Sequence, residues 1–174
     1  IEGEHLDESD YYIKGIELKQ ARMPKAMKDT MQTTLEGILN GRTQEQVSDD
    51  LTMLIKNVMN GVIPIEDLCM KGSLSRPLRH YRTLSGASAA ADWAFRNLGR
   101  EYGEDDYFLC LIDSEGQYIG FDKPSEIEGL VDIGYKHIVE RFIVNKASDL
   151  YDIVGWDVTP LITSMEGKEL IEWL

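Results

Sequence analysis

The sequence predicts an α+β protein that is mostly helical, with a helical hairpin, a small antiparallel β-hairpin or sheet and a long C-terminal helix. Apolar residues recur at spacings of three and four in several long stretches, which is the period of one helix face. Two short apolar runs, DYFLCLID and QYIGF, are separated only by Ser114–Gly116, which is typical of a β-hairpin. The 43% apolar and 28% charged residues are the mixture of a globular chain with a packed core.

The helical hairpin is predicted from its start and stop signals. Pro24 suits the first position of a helix, and Gly41 suits the position just after its end. Thr43 and Gln46 form a capping box that starts a second helix, which Gly61 ends. The two helices are expected to pair in antiparallel fashion. Their methionines are assigned to the core, namely Met23, Met27, Met31, Met53 and Met59.

The remaining elements carry weaker signals. A short strand or extended segment is predicted at about 11–18, and Gly72 and Pro77 favour an exposed strand and loop between 68 and 78. A third helix should run from an N-cap at Ser85 or Ser88 to about Gly99.

The C-terminal part is predicted to contain one more long helix. It should begin near Asp132 and run to Val154, with Gly155 ending it. A tail then follows from Asp157, with a break at Thr159–Pro160.

Charge is distributed unevenly along the chain. Its 31 acidic and 18 basic residues give a net charge of −13, which on average repels nucleic acid. However, residues 1–13 hold five acids and no base, and residues 101–132 hold ten acids against Lys123 alone. Most of the negative charge therefore lies in two blocks.

Two other segments are basic. Residues 14–28 carry five basic side chains against Glu17 alone, and residues 68–91 contain no acid at all. The latter segment, called the basic window below, contains four cations, Lys71, Arg76, Arg79 and Arg82. Such a run is either a solvated face or an anion-binding surface. The interleaved Ser73, Ser75 and Tyr81 favour the second reading, because hydroxyl donors suit phosphate oxygens.

Signals for catalysis are missing. The three histidines are far apart in sequence, no glycine-rich phosphate loop occurs, and no serine lies in a nucleophile motif. Cys69 and Cys110 lack neighbours at ligand spacing and are expected to be reduced core thiols of a cytoplasmic protein. No apolar run approaches the length of a membrane span, and the acidic start is unlike an export signal. The pattern indicates a binding module.

Several stretches resemble family B DNA polymerases. KGIELK at 14–19 followed by MPKA at 23–26 is similar to the segment that leaves the palm and opens the thumb. VIPIEDL at 62–68, SLSRPL at 73–78, Tyr81 and the small-residue helix at 86–98 are similar to the thumb itself. Residues 106–112 with Tyr118 and Ile119 resemble its small hairpin, and DIGY at 132–135 resembles the start of its last long helix.

The resemblance covers residues 13–155 and implies a thumb domain at 13–156, between an acidic lead-in at 1–12 and a tail at 157–174. Thumbs of this family grip the primer–template duplex through its sugar–phosphate backbone. The resemblance places duplex contacts at Lys71, Ser73, Ser75, Arg76, Arg79 and Tyr81. Local charge adds Arg82 from the basic window and Lys14, Lys19, Arg22 and Lys25 from the first basic segment.

The catalytic motifs of the family are absent from this sequence. The resemblance thus implies that the chain is a C-terminal part of a DNA-directed DNA polymerase, a nucleotidyltransferase whose palm binds Mg²⁺. No cofactor is expected in this part. The expected partners are the primer–template duplex and the palm, in the compartment where DNA is replicated.

Two alternatives stay open. The tail resembles the short peptide by which such polymerases dock on a sliding clamp, through Leu170, Trp173 and Leu174, or it packs back on the domain. The whole chain could also be a stand-alone acidic protein-interaction domain that docks a partner through the basic window. Tighter binding to duplex DNA than to an acidic polypeptide would separate the two functions.

Overall fold

The computed structural model describes residues 22–172, with the side chains of 167–172 left undescribed. It confirms the predicted α+β class, with a mostly helical chain and one small antiparallel sheet. The extended segment predicted at 11–18 lies outside the described residues. The elements are α1 (Lys25–Leu39), α2 (Gln44–Met59), α3 (Ile65–Leu68), β1 (Met70–Ser73), α4 (Ala87–Leu98), β2 (Tyr107–Ile112), β3 (Tyr118–Phe121), α5 (Tyr135–Val139), α6 (Asn145–Val154) and α7 (Thr159–Glu172).

The described residues form two compact units. The first unit contains the residues up to Ile63 and those from Ile138 onward, and the second unit is Pro64–His137. No helix within residues 22–172 is long and apolar enough to cross a membrane.

The helical hairpin of the first unit has the predicted start and stop signals, except that Pro24 is the N-cap of α1 rather than its first helical residue. The Thr43 Oγ1 accepts from the Gln46 backbone N–H at 3.2 Å, and the Gln46 side chain accepts from the Thr43 N–H at 3.1 Å. Gly41 and Gly61 follow the two helices with positive φ. Met27 and Met31 are fully buried, but the assignment of Met53 to the core is wrong, because its side chain is 65% exposed.

The C-terminal helices complete the first unit. A π-helical segment, Glu140–Val144, joins α5 to α6, and the Tyr151 hydroxyl of α6 lies 2.7 Å from the Ser48 hydroxyl in the core. The predicted break at Thr159–Pro160 is the start of α7, where the Asp157 carboxylate accepts from the Thr159 N–H at 3.0 Å. The tail is therefore helical as far as Glu172, and it packs through Leu161 and Met165.

The second unit is built around the sheet, whose strand order is β1-β2-β3. Helix α4 packs on β3, and the approach is close because a Cβ on Gly120 would lie 2.6 Å from the Ala90 carbonyl oxygen. The predicted hairpin turn is confirmed, with the buried Asp113 carboxylate accepting from the N–H groups of Glu115 and Gln117. Cys69 and Cys110 are buried free thiols.

Two predicted helix starts are wrong. The N-cap of α4 is Gly86, while Ser88 lies in the first turn and its hydroxyl bonds the backbone of Ser85. Helix α5 begins at Tyr135 rather than near Asp132. Here the Gly134 N–H donates to the Ile112 carbonyl at 2.9 Å, so the chain before α5 is held against the hairpin.

Candidate nucleic-acid interface

The first cation of the basic window, Lys71, lies on β1, which is an edge strand of the sheet. Ser73 pairs with Tyr107 and Lys71 with Leu109, so these side chains lie on one face. The Lys71 ammonium lies 4.1 Å from the centroid of the Tyr107 ring, a cation–π contact. Tyr107 is 66% exposed, and this end of the sheet therefore presents a cation and an aromatic ring to solvent.

The loop after β1 is stabilised by hydrogen bonds and a ring contact among a few of its own side chains. Leu74 is buried and anchors its start. Pro77 and a 3₁₀ turn at Leu78–His80 then reverse the chain, with the His80 N–H donating to the Pro77 carbonyl at 2.9 Å. The turn returns Tyr81 to the beginning of the loop.

Ser75, Arg76 and Tyr81 meet there and are called the loop cluster below. The Ser75 backbone N–H donates to the Tyr81 hydroxyl at 3.0 Å, and the two hydroxyls are 3.2 Å apart. The Arg76 guanidinium carbon lies 4.4 Å from the centroid of the Tyr81 ring. The hydrogen bond with the Ser75 hydroxyl lowers the pKa of Tyr81 most, and the Ser75 N–H and the Arg76 charge lower it further.

The cations of the basic window have no acidic partners. Among the side chains that the structure describes, those of residues 22–166, none of Lys71, Arg76, Arg79 and Arg82 forms a salt bridge. Arg42, Arg96 and Arg100 do, with Asp50, Asp92 and the Asp122–Glu126 pair. Because Arg79 and Arg82 are also exposed, the window keeps its positive charge available to an outside anion.

An acidic turn lies at the same end of the sheet as the loop cluster. Since Ser73 opposes Tyr107, the loop that leaves β1 and the turn that enters β2 lie at the same end of the sheet. This turn contains Glu104, Asp105 and Asp106, and the Asp106 carboxylate accepts from the Gly103 N–H at 2.7 Å. This end of the sheet therefore carries charges of both signs.

The other predicted site residues are not brought to this loop by any described contact. Lys14 and Lys19 lie outside the described residues, while Arg22 and Lys25 are exposed in the first unit near the start of α1. Of the suggested clamp-binding residues, Leu170 lies within α7 and Trp173 and Leu174 lie outside the described residues.

Tyr107 is the residue that the sequence pattern does not single out. Its place beside Lys71 depends on the register between β1 and β2, which joins positions far apart in the chain. In the sequence, Tyr107 is only the aromatic first residue of a strand that follows an acidic run. This pattern predicts a strand and not a binding site. Comparison of the chain with models of known protein families and with curated proteins finds no match.

Proposed function

We propose that this chain is the thumb and C-terminal part of a family B DNA polymerase. It grips the primer–template duplex through its backbone and supports processive synthesis, while the carboxylates and Mg²⁺ of catalysis belong to the palm of the parent protein. Its site of action is the compartment of DNA replication, the cytoplasm. The observation that carries the proposal is the basic window, where four exposed side chains keep their charge without acidic partners in the described part of the chain.

A duplex backbone is the anion that this surface suits best. Lysine and arginine gain affinity by releasing the counterions condensed on DNA, and hydroxyl groups and backbone amides fix the register. The basic window contains both kinds of group, with Ser73 and Ser75 beside Lys71 and Arg76. These groups contribute affinity and position to the polymerase rather than a chemical step.

The test is fluorescence anisotropy of the chain with a labelled primer–template duplex between about 50 and 200 mM salt. We expect binding that weakens with salt, and Arg76→Ala/Arg79→Ala should reduce the slope of log affinity against log salt by roughly 2. The matched control is Arg42→Ala/Arg96→Ala, which removes the same charge from residues already paired with acids.

An unchanged slope in the Arg76/Arg79 variant would refute the assignment. Tighter binding to polyglutamate than to the duplex at the same ionic strength would instead support a protein-interaction domain. In the parent polymerase the double variant should weaken primer–template binding and leave the chemical step nearly intact.

Clamp binding is a separate proposal for the tail. Deleting residues 170–174 from the parent polymerase should lower its affinity for the sliding clamp if the tail is the docking peptide. Unchanged affinity would mean that this segment serves only the domain itself.

A further inference from the structure

Arg76 of the loop cluster has an aromatic neighbour but no described acidic partner. The Arg76 guanidinium carbon lies over the Tyr81 ring, but the side chain forms no salt bridge or side-chain hydrogen bond with any residue that the structure describes. A guanidinium carries five N–H donors in its plane. No described hydrogen bond uses these donors, so they stay available to an outside acceptor.

We propose that Tyr81 is a positioning residue for Arg76, holding the guanidinium in place over its ring so that two of the guanidinium N–H groups can donate hydrogen bonds to one backbone phosphate of the bound duplex. The inference rests on the proposed function and adds how two of the side chains that bind the duplex are arranged relative to each other. A planar guanidinium matches two phosphate oxygens in a way that an ammonium group does not.

Tyr81 can position Arg76 because hydrogen bonds fix its own hydroxyl, at the far end of the ring. Its hydroxyl is bonded to both the backbone N–H and the side chain of Ser75, the residue that precedes Arg76. Pro77 and the 3₁₀ turn fold the chain back, so that Tyr81 comes close to Arg76. The ring and the guanidinium are therefore constrained together before any DNA binds, which reduces the side-chain entropy lost on binding.

The decisive comparison uses two identical substitutions in one loop. Arg76→Lys keeps the charge but replaces the planar guanidinium, which can donate two parallel hydrogen bonds, with an ammonium group. Arg79→Lys makes the same change at an exposed arginine that stacks on no described ring. We expect Arg76→Lys to lower duplex affinity about two- to fivefold at an unchanged salt slope, and Arg79→Lys, which keeps its charge and has no ring contact to lose, to lower affinity less. An equal loss of affinity in the two variants would overturn the positioning role.

Variants of the ring complete the test. Tyr81→Leu should weaken binding by a similar factor, again at an unchanged salt slope, since no charge is lost. Tyr81→Phe, which keeps the ring but loses both hydrogen bonds to Ser75, should fall between Tyr81→Leu and the native chain. In an Arg76→Ala background, Tyr81→Leu should have no further effect.

The cluster can also be observed without DNA. The difference between the ultraviolet titration curves of the native chain and of Tyr81→Phe gives the titration of Tyr81 alone among the eight tyrosines. Ser75→Ala, on an exposed loop, should raise the pKa of Tyr81 toward the ordinary value of about 10, because the hydrogen bond to the Ser75 hydroxyl is lost.

The two possible failures are distinct. If Arg76→Ala reduces the salt slope but Tyr81→Leu binds as tightly as the native chain, the positioning role is overturned and the proposed function stands. If Arg76→Ala/Arg79→Ala leaves binding and slope unchanged, the proposed function is overturned, and the positioning role with it.

Discussion

Gly120 and Gly72 are positions in the second unit where the absence of a side chain allows close packing. A Cβ on Gly120 would lie 2.6 Å from the backbone oxygen of Ala90, and one on Gly72 would lie 2.5 Å from the Cys110 sulfur. Backbone atoms of a packed helix yield less readily than the end of a flexible side chain. Gly120 therefore sets how closely α4 approaches the sheet.

Gly120→Ala should destabilise the protein by about 1–3 kcal/mol, because α4 must move away from β3 to accept the methyl group. Urea unfolding followed by circular dichroism measures the change. Gly103→Ala is the matched control, since its nearest contact would be an ordinary one, 3.5 Å from the Asp106 carboxylate. Equal stability of Gly120→Ala and Gly103→Ala would show that α4 and β3 accommodate the added methyl group without strain.

Arg100 joins three side chains at the surface of the second unit. It pairs with Glu126 and, at 3.1 Å, with Asp122, whose carboxylate also accepts from the Tyr102 hydroxyl at 2.8 Å. The hydrogen bond from Arg100 is the main cause that lowers the pKa of Glu126. A carboxyl with a lowered pKa in the folded state stabilises the fold above its ordinary pKa and loses that contribution as the pH falls through the lowered value.

Glu126→Gln should therefore reduce stability by about 0.5 kcal/mol near pH 7, with the difference from the native chain shrinking as the pH falls below about 5. Thermal unfolding across that range measures it. Glu128→Gln, two residues along and outside any salt bridge of the described residues, is the control. A Glu126→Gln deficit that is constant with pH would indicate lost packing rather than a lost ion pair.

At the scale of elements, local signals determine how α2 begins. The capping box of Thr43 and Gln46 satisfies two backbone N–H groups that the helix itself leaves without partners. Thr43→Ala should cost about 1 kcal/mol of stability. Thr33→Ala on the exposed face of α1 is a matched control, where losing a hydroxyl that bonds the Asp29 carbonyl should be close to neutral.

Elements predicted correctly are those whose ends are determined by neighbours in sequence. Thr43, Gly41 and Gly155 act within a few residues of the helix that they start or end. The start of α5 was predicted too early, because Gly134 bonds Ile112, a residue more than twenty positions away. Helical period alone did not separate Met53, which faces solvent, from the buried Met27 and Met31.

The candidate site shows the same limit. Composition alone reveals the basic window, since an acid-free segment is conspicuous in so acidic a chain. The contact between Tyr81 and Ser75 depends on the path through Pro77 and the 3₁₀ turn, and the Lys71–Tyr107 contact depends on strand register. Residue types were thus predictable, and their contacts were not.

At the scale of the whole molecule, the charge of −13 opposes the function proposed for the basic window. The acidic turn before β2 lies at the same end of the sheet as the loop cluster, so its charges should repel an approaching phosphate backbone. Salt screens such repulsion over about 10 Å at 0.1 M.

Neutralising Glu101, Glu104 and Asp105 to their amides should therefore raise duplex affinity, and more at about 50 mM salt than at about 200 mM. Asp106 is left unchanged because its carboxylate bonds the Gly103 N–H. Anisotropy titrations of the triple variant provide the measurement, with its unfolding temperature as a check on the fold. Equal affinity at low salt would show that the turn does not influence the bound duplex.

The division into two units also has a consequence for synthesis. The second unit is one continuous segment, so all its partners are present once His137 has left the ribosome. The first unit is assembled from two segments, and α2 contacts α7, which is translated about a hundred residues later. The apolar face of α2, with Leu51 and Ile55 fully buried in the finished fold, must therefore stay uncovered by α7 while the whole second unit is being made.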